Sequence, residues 1–358
     1  MQYDNKNFLE KLTIIIFSFN RHKYLRRTIK YWALYNVKLL VIDGSDVRLE
    51  DPSLNIKNIK YIHDQKSMYD RLLSSINYID TEFVILGCDD EFYLPSALSA
   101  CIEFLTKESS FFSCGGRSIG FGTSNEGKEI FGYEQYSKFR NLCLDHDSAL
   151  NRIVNHFNNY VPAHMYSVMR YNKWKIICKS VFEKEYNFFA AMELQIEFLA
   201  AVSGKSKIIP ELMWMRNKEV PGIRGTSAST TPTFTIDQWW YDKRFKKEKE
   251  DFLYRMKKAC DELLSDQNFQ FTENIIARLF EIYINYLTSN QTLYKKIKDL
   301  IPIKIKILLR SILSFRNRFI VNKYKSLANE VSLLESESVH VNHKDFNQII
   351  LALRQSNY

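Results

Sequence analysis

Residues 82–95 read EFVILGCDDEFYLP, and this stretch carries the strongest fold signal in the chain. Its first part, Phe83–Leu86, is a short apolar run of the kind that forms a buried strand. The run ends in a polar turn that contains three adjacent carboxylates, residues 89–91. A helical pattern follows over Leu94–Leu105. The stretch therefore predicts a strand, a charged turn and a helix in succession.

Similar units lie upstream of this stretch. Apolar runs occur at Leu12–Phe17, Val37–Ile42 and Ile59–Ile62, and helix-length segments separate them. We therefore predict an α/β fold, a mostly parallel, Rossmann-like sheet with helices on both faces. In such sheets ligands bind beyond the carboxyl ends of the strands. The polar residues at these ends are Asn20, Asp43, Asp89 and Asp90.

The acidic turn is a candidate metal site. Carboxylates side by side repel one another unless a cation lies among them. Mg²⁺ and Mn²⁺ prefer oxygen ligands and bind phosphates, so the turn predicts a divalent metal at Asp89 and Asp90. The alternative is a solvated acidic turn before the helix. Asp43 could accept hydrogen bonds from a nucleotide base or ribose, and the alternative there is an ordinary β-turn.

The composition is that of a globular protein of 358 residues, with 46% hydrophobic and 25% charged residues. Glycine and proline are scarce and no period repeats, which excludes low-complexity and repeat classes. The six cysteines are scattered without a CxxC pair, which predicts reduced, buried thiols. Residues 1–12 are polar, and no apolar stretch reaches the ~20 residues of a membrane span. We therefore expect a cytoplasmic protein.

The net charge of +9 has one source. Residues 295–325 include ten basic residues and one acidic residue, and the rest of the chain is balanced. The apolar residues of this segment approximate one helical stripe, which predicts binding to an anionic membrane surface at the inner face of the cytoplasmic membrane. The alternative is a core-packed helix with a charged outer face. A nucleic-acid enzyme would more often spread its charge along a groove, so we expect no nucleic-acid partner.

The strand-end blocks together resemble a known family. LTIIIFSFN at 12–20, LLVIDGSD at 39–46 and EFVILGCDDEFYLP at 82–95 are similar to successive blocks of family-2-like GT-A glycosyltransferases. The resemblance covers about residues 10–217 and is closest to the bacterial polysaccharide and lipopolysaccharide branch. It implies an inverting, metal-assisted enzyme that moves a sugar from a nucleotide-sugar donor to a hydroxyl of a surface-glycan or lipid-linked acceptor.

The resemblance also implies roles for individual residues. Phe19 and Asn20 fall where the first strand meets the nucleotide, with Arg21 beside them, and Asp43 falls where the base is recognised. Asp89 matches the family's metal-binding or diphosphate-facing Asp, and Asp90 adjoins it. The first Asp of that motif is Gly87 in this chain.

The resemblance places the catalytic base on a later apolar helix that ends before Gly204. Counting back from this glycine puts Glu193 at the base position and Met192 at its usually acidic neighbour. A carboxylate at the start of an apolar helix can take a proton from an acceptor hydroxyl. Glu197, one turn later, is the second candidate. The alternative for Glu193 is a surface carboxylate near a helix N-terminus.

Several other polar residues are weaker candidates. His164 and Tyr166 could line the acceptor site, with a structural histidine as the alternative. Arginine and lysine side chains could hold the phosphates of the donor, with solvated surface cations as the alternative. These basic candidates are Arg216 and Arg224, which flank a predicted loop, and Lys66 and Arg71.

Three regions are predicted along the chain. Residues 1–221 form the GT-A domain, 222–236 form a flexible loop of small and β-branched residues, and 237–358 form a helical, basic C-terminal region. Two other functional classes remain open. A metal-dependent nucleotidyltransferase usually needs a glycine-rich phosphate loop, which Phe17–Arg21 lacks. A catalytically degenerate GT-A scaffold at the membrane would explain Gly87 and Met192.

Overall fold

The computed structural model describes residues 6–124, 129–134, 136–188, 190–218, 234–265, 269–300 and 325–355. The strands are β1 (Leu12–Ser18), β2 (Lys38–Asp43), β3 (Ile59–His63), β4 (Phe83–Cys88), β5 (Phe92–Tyr93), β6 (Phe111–Ser124), β7 (Glu129–Glu134), β8 (Cys143–Leu144), β9 (Val168–Arg170), β10 (Lys205–Asn217) and β11 (Lys325–Ser326). The helices are α1 (Lys6–Leu9), α2 (His22–Trp32), α3 (Met68–Ser75), α4 (Pro95–Lys107), α5 (Ala149–Asn158), α6 (Tyr171–Phe182), α7 (Ala191–Ser203), α8 (Ile236–Tyr241), α9 (Lys246–Leu263), α10 (Glu273–Leu300), α11 (Leu327–Ser336) and α12 (His343–Gln355).

The first half of the sheet is parallel and has the order β3-β2-β1-β4. Its central strand, β1, is buried on both faces. Ile15 packs into one hydrophobic cluster, while Ile14 and Ile16 pack into the other. The continuous apolar run in the sequence follows from this two-sided burial. The predicted α/β fold with helices on both faces is therefore confirmed.

The second half of the sheet is mixed. β4 continues through β9, β6 and β7 to β11, and β10 lies parallel to β6 on its other edge. The sequence predicts only short strands at Phe111–Cys114 and Lys207–Ile209, whereas β6 and β10 are 14 and 13 residues long. β10 continues through Pro210 because its pairing with β6 is irregular there. Proline has no N–H to donate to a neighbouring strand, so it is tolerated at such a break.

The C-terminal helices share the cores of the N-terminal part. The cluster on one sheet face includes Trp174 of α6 together with Trp239 of α8 and Phe252 of α9. The cluster on the other face includes Leu25 of α2 and Val331 of α11. The described residues of the predicted region 237–358 are thus mostly helical, and they contribute to both cores.

The basic segment lies mostly outside the described residues. Helix α10 reaches Leu300, and residues 301–324 are outside that part of the chain. The membrane-surface prediction for 295–325 therefore stays a prediction. Among the described residues, no helix has the length and apolar character to cross a bilayer.

The cysteines agree with the sequence-based prediction. All six are free thiols, and none is exposed. Four of them are buried and two, Cys88 and Cys143, are half-buried. Only Cys88 lies beside the strand-end residues considered next.

Candidate active site

Helix α2 holds the main chain of the acidic turn that follows β4. Thr28 donates from Oγ1 to the carbonyl of Asp89 at 2.6 Å, and Arg27 donates to the carbonyl of Asp90 at 3.2 Å. Both acidic residues are buried. Thr28 lies seven residues after Arg21, so both side chains are on the face of the helix that meets the turn. The turn is thereby fixed from one side by a single helix.

The carboxylates of this turn are held by Arg21 and Ser18. The Arg21 guanidinium lies 3.2 Å from Asp89 Oδ1 through Nη1 and 2.5 Å from Asp90 Oδ2 through Nη2. Ser18 Oγ donates to the other oxygen of Asp89 at 2.7 Å. One arginine therefore bridges both acidic residues that the sequence assigns to a metal.

Burial changes the proton affinity of the turn. It raises the pKa of Asp89 to about 7, and the positive charge of Arg21 opposes this rise. Burial, with the negative charge of Asp90, raises the pKa of Glu91 to about 8. Glu91 accepts a hydrogen bond from Trp214 Nε1 at 2.8 Å and lies 3.5 Å from Arg216 Nε.

Replacing Glu91 with Gln is expected to flatten the pH dependence of stability. The folded-state pKa of Glu91 is raised, so its contribution is fully present below the unfolded pKa near 4.5 and is lost as pH rises through about 8. Gln cannot ionise, and its carbonyl still accepts from Trp214. The melting temperature of the wild type should therefore fall more between about pH 6 and pH 9 than that of the variant. Equal falls would show that Glu91 does not titrate in this range.

A divalent metal is predicted from the repulsion among adjacent carboxylates, and the structure places other positive charges near them. Three arginines, at positions 21, 27 and 216, lie within electrostatic reach of the three acids of the turn. The positive charges of these arginines thus offset part of the self-repulsion for which the sequence predicts a metal ion. Possible ligand atoms of Cys88, Asp90 and Glu91 lie within 4.8 Å of one another, which is close enough for one metal ion. However, Arg21 occupies the position between Asp89 and Asp90, and the two carboxylates do not fit a metal while it remains there.

Asp43 is used within the protein, so the predicted contact to a nucleotide base is not available in this arrangement. Its Oδ1 accepts from the N–H and the hydroxyl of Ser45, and its Oδ2 accepts from Tyr61 at 2.7 Å and contacts His22 at 3.1 Å. A carboxylate has about four lone-pair sites, and all are taken. Asp43 therefore fixes the loop after β2 and the side chain of His22.

Asn20 also belongs to this loop. Its φ of 54° is left-handed, which asparagine tolerates, and its side chain exchanges hydrogen bonds with Asp46. Phe19, just before it, is half-buried at the end of β1. Both residues stay candidates for nucleotide contacts at the edge of the sheet.

The two basic candidates near β3 differ in their surroundings. The guanidinium of Arg71 is buried and donates to the carbonyls of Ser18 and Ile42, so it joins the ends of β1 and β2. It lies where a Cβ at Gly44 would stand, 2.2 Å from that position. Lys66 is exposed and paired with Asp64 at 3.4 Å. The predicted phosphate contact of Arg71 is thus replaced by a structural role, whereas that of Lys66 stays a prediction.

An aromatic stack lies beside the acidic turn. Trp214 on β10 stacks on Tyr166, with ring centroids 4.0 Å apart, and on Tyr136, at 5.8 Å. Arg216 donates to the Tyr136 hydroxyl and lies over all three rings. The stack holds Arg216 close to Glu91, and it includes Tyr166, whose acceptor contact stays a prediction.

Glu193 is hydrogen-bonded to Tyr160, which lines an open cleft of about 340 Å³. Its carboxylate is half-buried and accepts a hydrogen bond from Tyr160 at 2.5 Å. Burial raises the pKa of Glu193, while the bond from Tyr160 and the charge of Arg216 lower it. The residues that line the cleft are Tyr136, Ser137, Lys138, Tyr160, Val161 and Pro162. Tyr136 and Tyr160 thus connect Glu193 with the aromatic stack.

Glu197 has a structural environment. It is fully buried and accepts from the backbone N–H groups of residues 163–165. His164 Nδ1 and His156 Nε2 add contacts at 2.7 and 2.9 Å, and these donors hold the pKa of Glu197 well below its usual range. A carboxylate with every lone pair occupied cannot take a proton from an acceptor. The structure therefore removes Glu197 as an alternative base.

His164 is part of the same network. Its Nε2 contacts Ser206 Oγ at 2.8 Å, and the ring is buried. The two histidines and Glu197 have the spacing of metal ligands, and both histidines contact Glu197 directly. In this arrangement both ring nitrogens of His164 contact protein groups, which favours the structural alternative for this residue.

Several residues of the site were missed from the sequence. Thr28, Arg27, Tyr160 and Trp214 lie on elements that the sequence predicts, but nothing in their local patterns separates them from core or surface positions. A helical spacing of seven from Arg21 is the one signal that could have indicated Thr28. Arg224 lies outside the described residues.

The fold and the site define an α/β protein with a charged, cleft-bearing site beyond the carboxyl ends of its parallel strands. This is the architecture that the resemblance to GT-A glycosyltransferases implies. No protein-family model matches the sequence, and no curated protein matches it.

Solved structures that are similar to this chain include those of S. aureus TarS. One TarS crystal structure matches with a TM-score of 0.45 at 14% identity, over 77% of this chain and 43% of that chain. TarS 1–349 in complex with UDP-GlcNAc matches with a TM-score of 0.47 at 14% identity, over 77% of this chain and 71% of that chain. TarS 1–349 in complex with UDP gives 0.40 at 12% identity, over 78% and 91%. The chain thus spans less than half of the first of these structures.

Proposed function

We propose that this protein is a GT-A glycosyltransferase that moves a sugar from a nucleotide-sugar donor to an acceptor hydroxyl with inversion. The observation that carries the proposal is the environment of Glu193. This carboxylate is half-buried, has a raised pKa and is hydrogen-bonded to Tyr160, which lines an open cleft. A general base needs such a group within reach of the hydroxyl that it deprotonates.

The proposed mechanism divides the site between two groups of residues. The donor lies over the ends of β1 and β4, and its diphosphate faces the arginines there. Glu193 takes the proton of an acceptor hydroxyl in the cleft as the oxygen attacks the anomeric carbon on the face opposite the leaving diphosphate. The positive charge of Arg216, which lies between Glu91 and the aromatic stack, stabilises the charge that develops on the diphosphate.

The acceptor is proposed to be a surface-glycan chain or a lipid-linked saccharide. The walls of the cleft combine the aromatic residues Tyr136 and Tyr160 with the polar Ser137, a mixture of apolar and polar groups that suits a small ligand such as a saccharide. Lys138 adds a cation to the same wall. For a lipid-linked acceptor, the basic segment 295–325 would hold the protein at an anionic, cytoplasmic membrane surface.

The first experiment is a thermal-shift panel of UDP, GDP, TDP, ADP and CMP, each with Mn²⁺ and with EDTA. A ligand that binds only the folded state at 100 times its Kd adds about 2.7 kcal/mol to the free energy of unfolding. We expect one nucleotide to raise the melting temperature by a few degrees and so to name the donor class. The absence of any shift would contradict the donor site.

A radiolabelled sugar assay then separates an enzyme from a catalytically degenerate scaffold. The scaffold alternative rests on Gly87, which lies against Ile16 of β1, and on Met192, which is buried in the core. Nucleotide binding without hydrolysis or transfer of the sugar would favour the scaffold. Transfer or slow hydrolysis would support the glycosyltransferase.

A further inference from the structure

The guanidinium of Arg21 is placed as a bound cation would be. Its two terminal nitrogens face different carboxylates, those of Asp89 and Asp90, at 3.2 and 2.5 Å. The side chain is 18% exposed, so part of it remains in contact with solvent. The turn cannot easily move away from Arg21, because Thr28 and Arg27 hold its main chain.

Arg21 also has donors to spare. A guanidinium carries five N–H donors in a planar fork, and two of them are directed at the carboxylates. Nε is buried and has no hydrogen-bond partner among the described residues, so the donors left for a ligand are the remaining N–H groups of the terminal nitrogens. Arg21 is also the residue immediately before the 11-residue helix α2, and no side chain caps the N-terminus of this helix. Uncapped helix N-termini and arginine forks both favour phosphate oxygens.

We propose that Arg21 takes the place of a divalent cation in this site, so that it neutralises Asp89 and Asp90 and carries the donor diphosphate without a metal ion. This inference rests on the proposed function, because it assumes a nucleotide donor. A metal that bridged the two carboxylates would first have to displace Arg21 from both. In the wild type, Arg21 therefore contacts the diphosphate with its remaining donors while it stays on the carboxylates.

The test is calorimetric titration of UDP, GDP, TDP, ADP and CMP into the full chain in EDTA and in Mn²⁺. For the nucleotide that binds, we expect the wild-type Kd to differ by less than about threefold between the two conditions. Arg21→Gln should weaken binding in EDTA by about tenfold or more. Mn²⁺ should restore much of that loss, because the variant leaves both carboxylates open to the ion.

Three further measurements test the role of Arg21. Arg26→Gln is the matched control, since Arg26 lies on the same helix but pairs with Asp51 at 3.5 Å, away from the turn, and its Kd should not change. Arg21→Lys keeps the charge without the fork and should lie between Gln and the wild type. Electron paramagnetic resonance of Mn²⁺ should show ion binding to the Arg21→Gln variant but not to the nucleotide-free wild type.

Two outcomes would overturn the inference while leaving the proposed function intact. One is a wild-type affinity that falls tenfold or more in EDTA. The other is an Arg21→Gln variant that is folded by circular dichroism and binds as the wild type does in EDTA. Failure of every nucleotide to bind under either condition would overturn the proposed function, and this inference with it.

Discussion

Glu193→Gln is expected to lower kcat for sugar transfer by about 10²–10⁴-fold and to leave nucleotide affinity within about twofold of the wild type. The amide has the shape of the carboxylate and still accepts a hydrogen bond from Tyr160, but it cannot take a proton. Steady-state transfer assays and calorimetry with the same nucleotide measure the two quantities. A variant with wild-type kcat would exclude Glu193 as the base.

The pH profile adds an independent test of the same residue. The base must be ionised, so transfer should increase as pH rises through the raised pKa of Glu193. Tyr160→Phe removes the hydrogen bond that favours the ionised form, and the acidic limb should therefore move to higher pH. At high pH, the transfer rate of Tyr160→Phe should stay closer to the wild-type rate than the transfer rate of Glu193→Gln does. An unchanged limb would mean that another group controls it.

Glu197→Ala is expected to lower the free energy of unfolding by about 3–5 kcal/mol, the range for removing one partner of a buried charged network. The change would leave the N–H groups of residues 163–165 and both histidines without their acceptor. Urea unfolding followed by tryptophan fluorescence measures the loss. Glu103→Ala is the control, because its pair with Lys107 is partly solvated and should be worth less than about 1 kcal/mol.

The same network predicts a direction for acid unfolding. The folded-state pKa of Glu197 is depressed, so its contribution is present above the unfolded pKa near 4.5 and is lost as pH falls. Below about pH 4.5, wild-type stability should therefore drop more steeply than that of Glu197→Ala. Parallel curves for the two proteins would show that Glu197 is not held ionised.

The strands of the parallel half were predictable because their signal is local. A strand buried on both faces must be apolar along its length, and the runs at Leu12–Phe17, Val37–Ile42 and Phe83–Leu86 show this directly. The observed strands end one or two residues later than those runs, and β2 also begins one residue later. β6 and β10 were underestimated, because glycine, proline and polar residues interrupt their patterns while cross-strand pairing maintains them.

Glu193 and Glu197 illustrate how far the candidate site could be predicted from the sequence. They lie one turn apart on α7, and nothing in the local sequence separates their surroundings. In the structure the first meets Tyr160 at an open cleft, while the second is enclosed by the chain around His164. The difference arises from α5 and the loop after it, which contact α7 from about 30 to 40 residues earlier in the chain.

The sequence by itself determined the α/β class, the strand ends at which polar residues gather, and the acidic turn at Asp89 and Asp90, because periodicity and local chemistry are written in adjacent residues. Only the tertiary structure decided what neutralises that turn. Arg21 is 69 positions from Asp90, and Glu91 meets Trp214 across 123 positions. The order of strands in the sheet brings such partners together, and a local pattern along the chain does not contain that order.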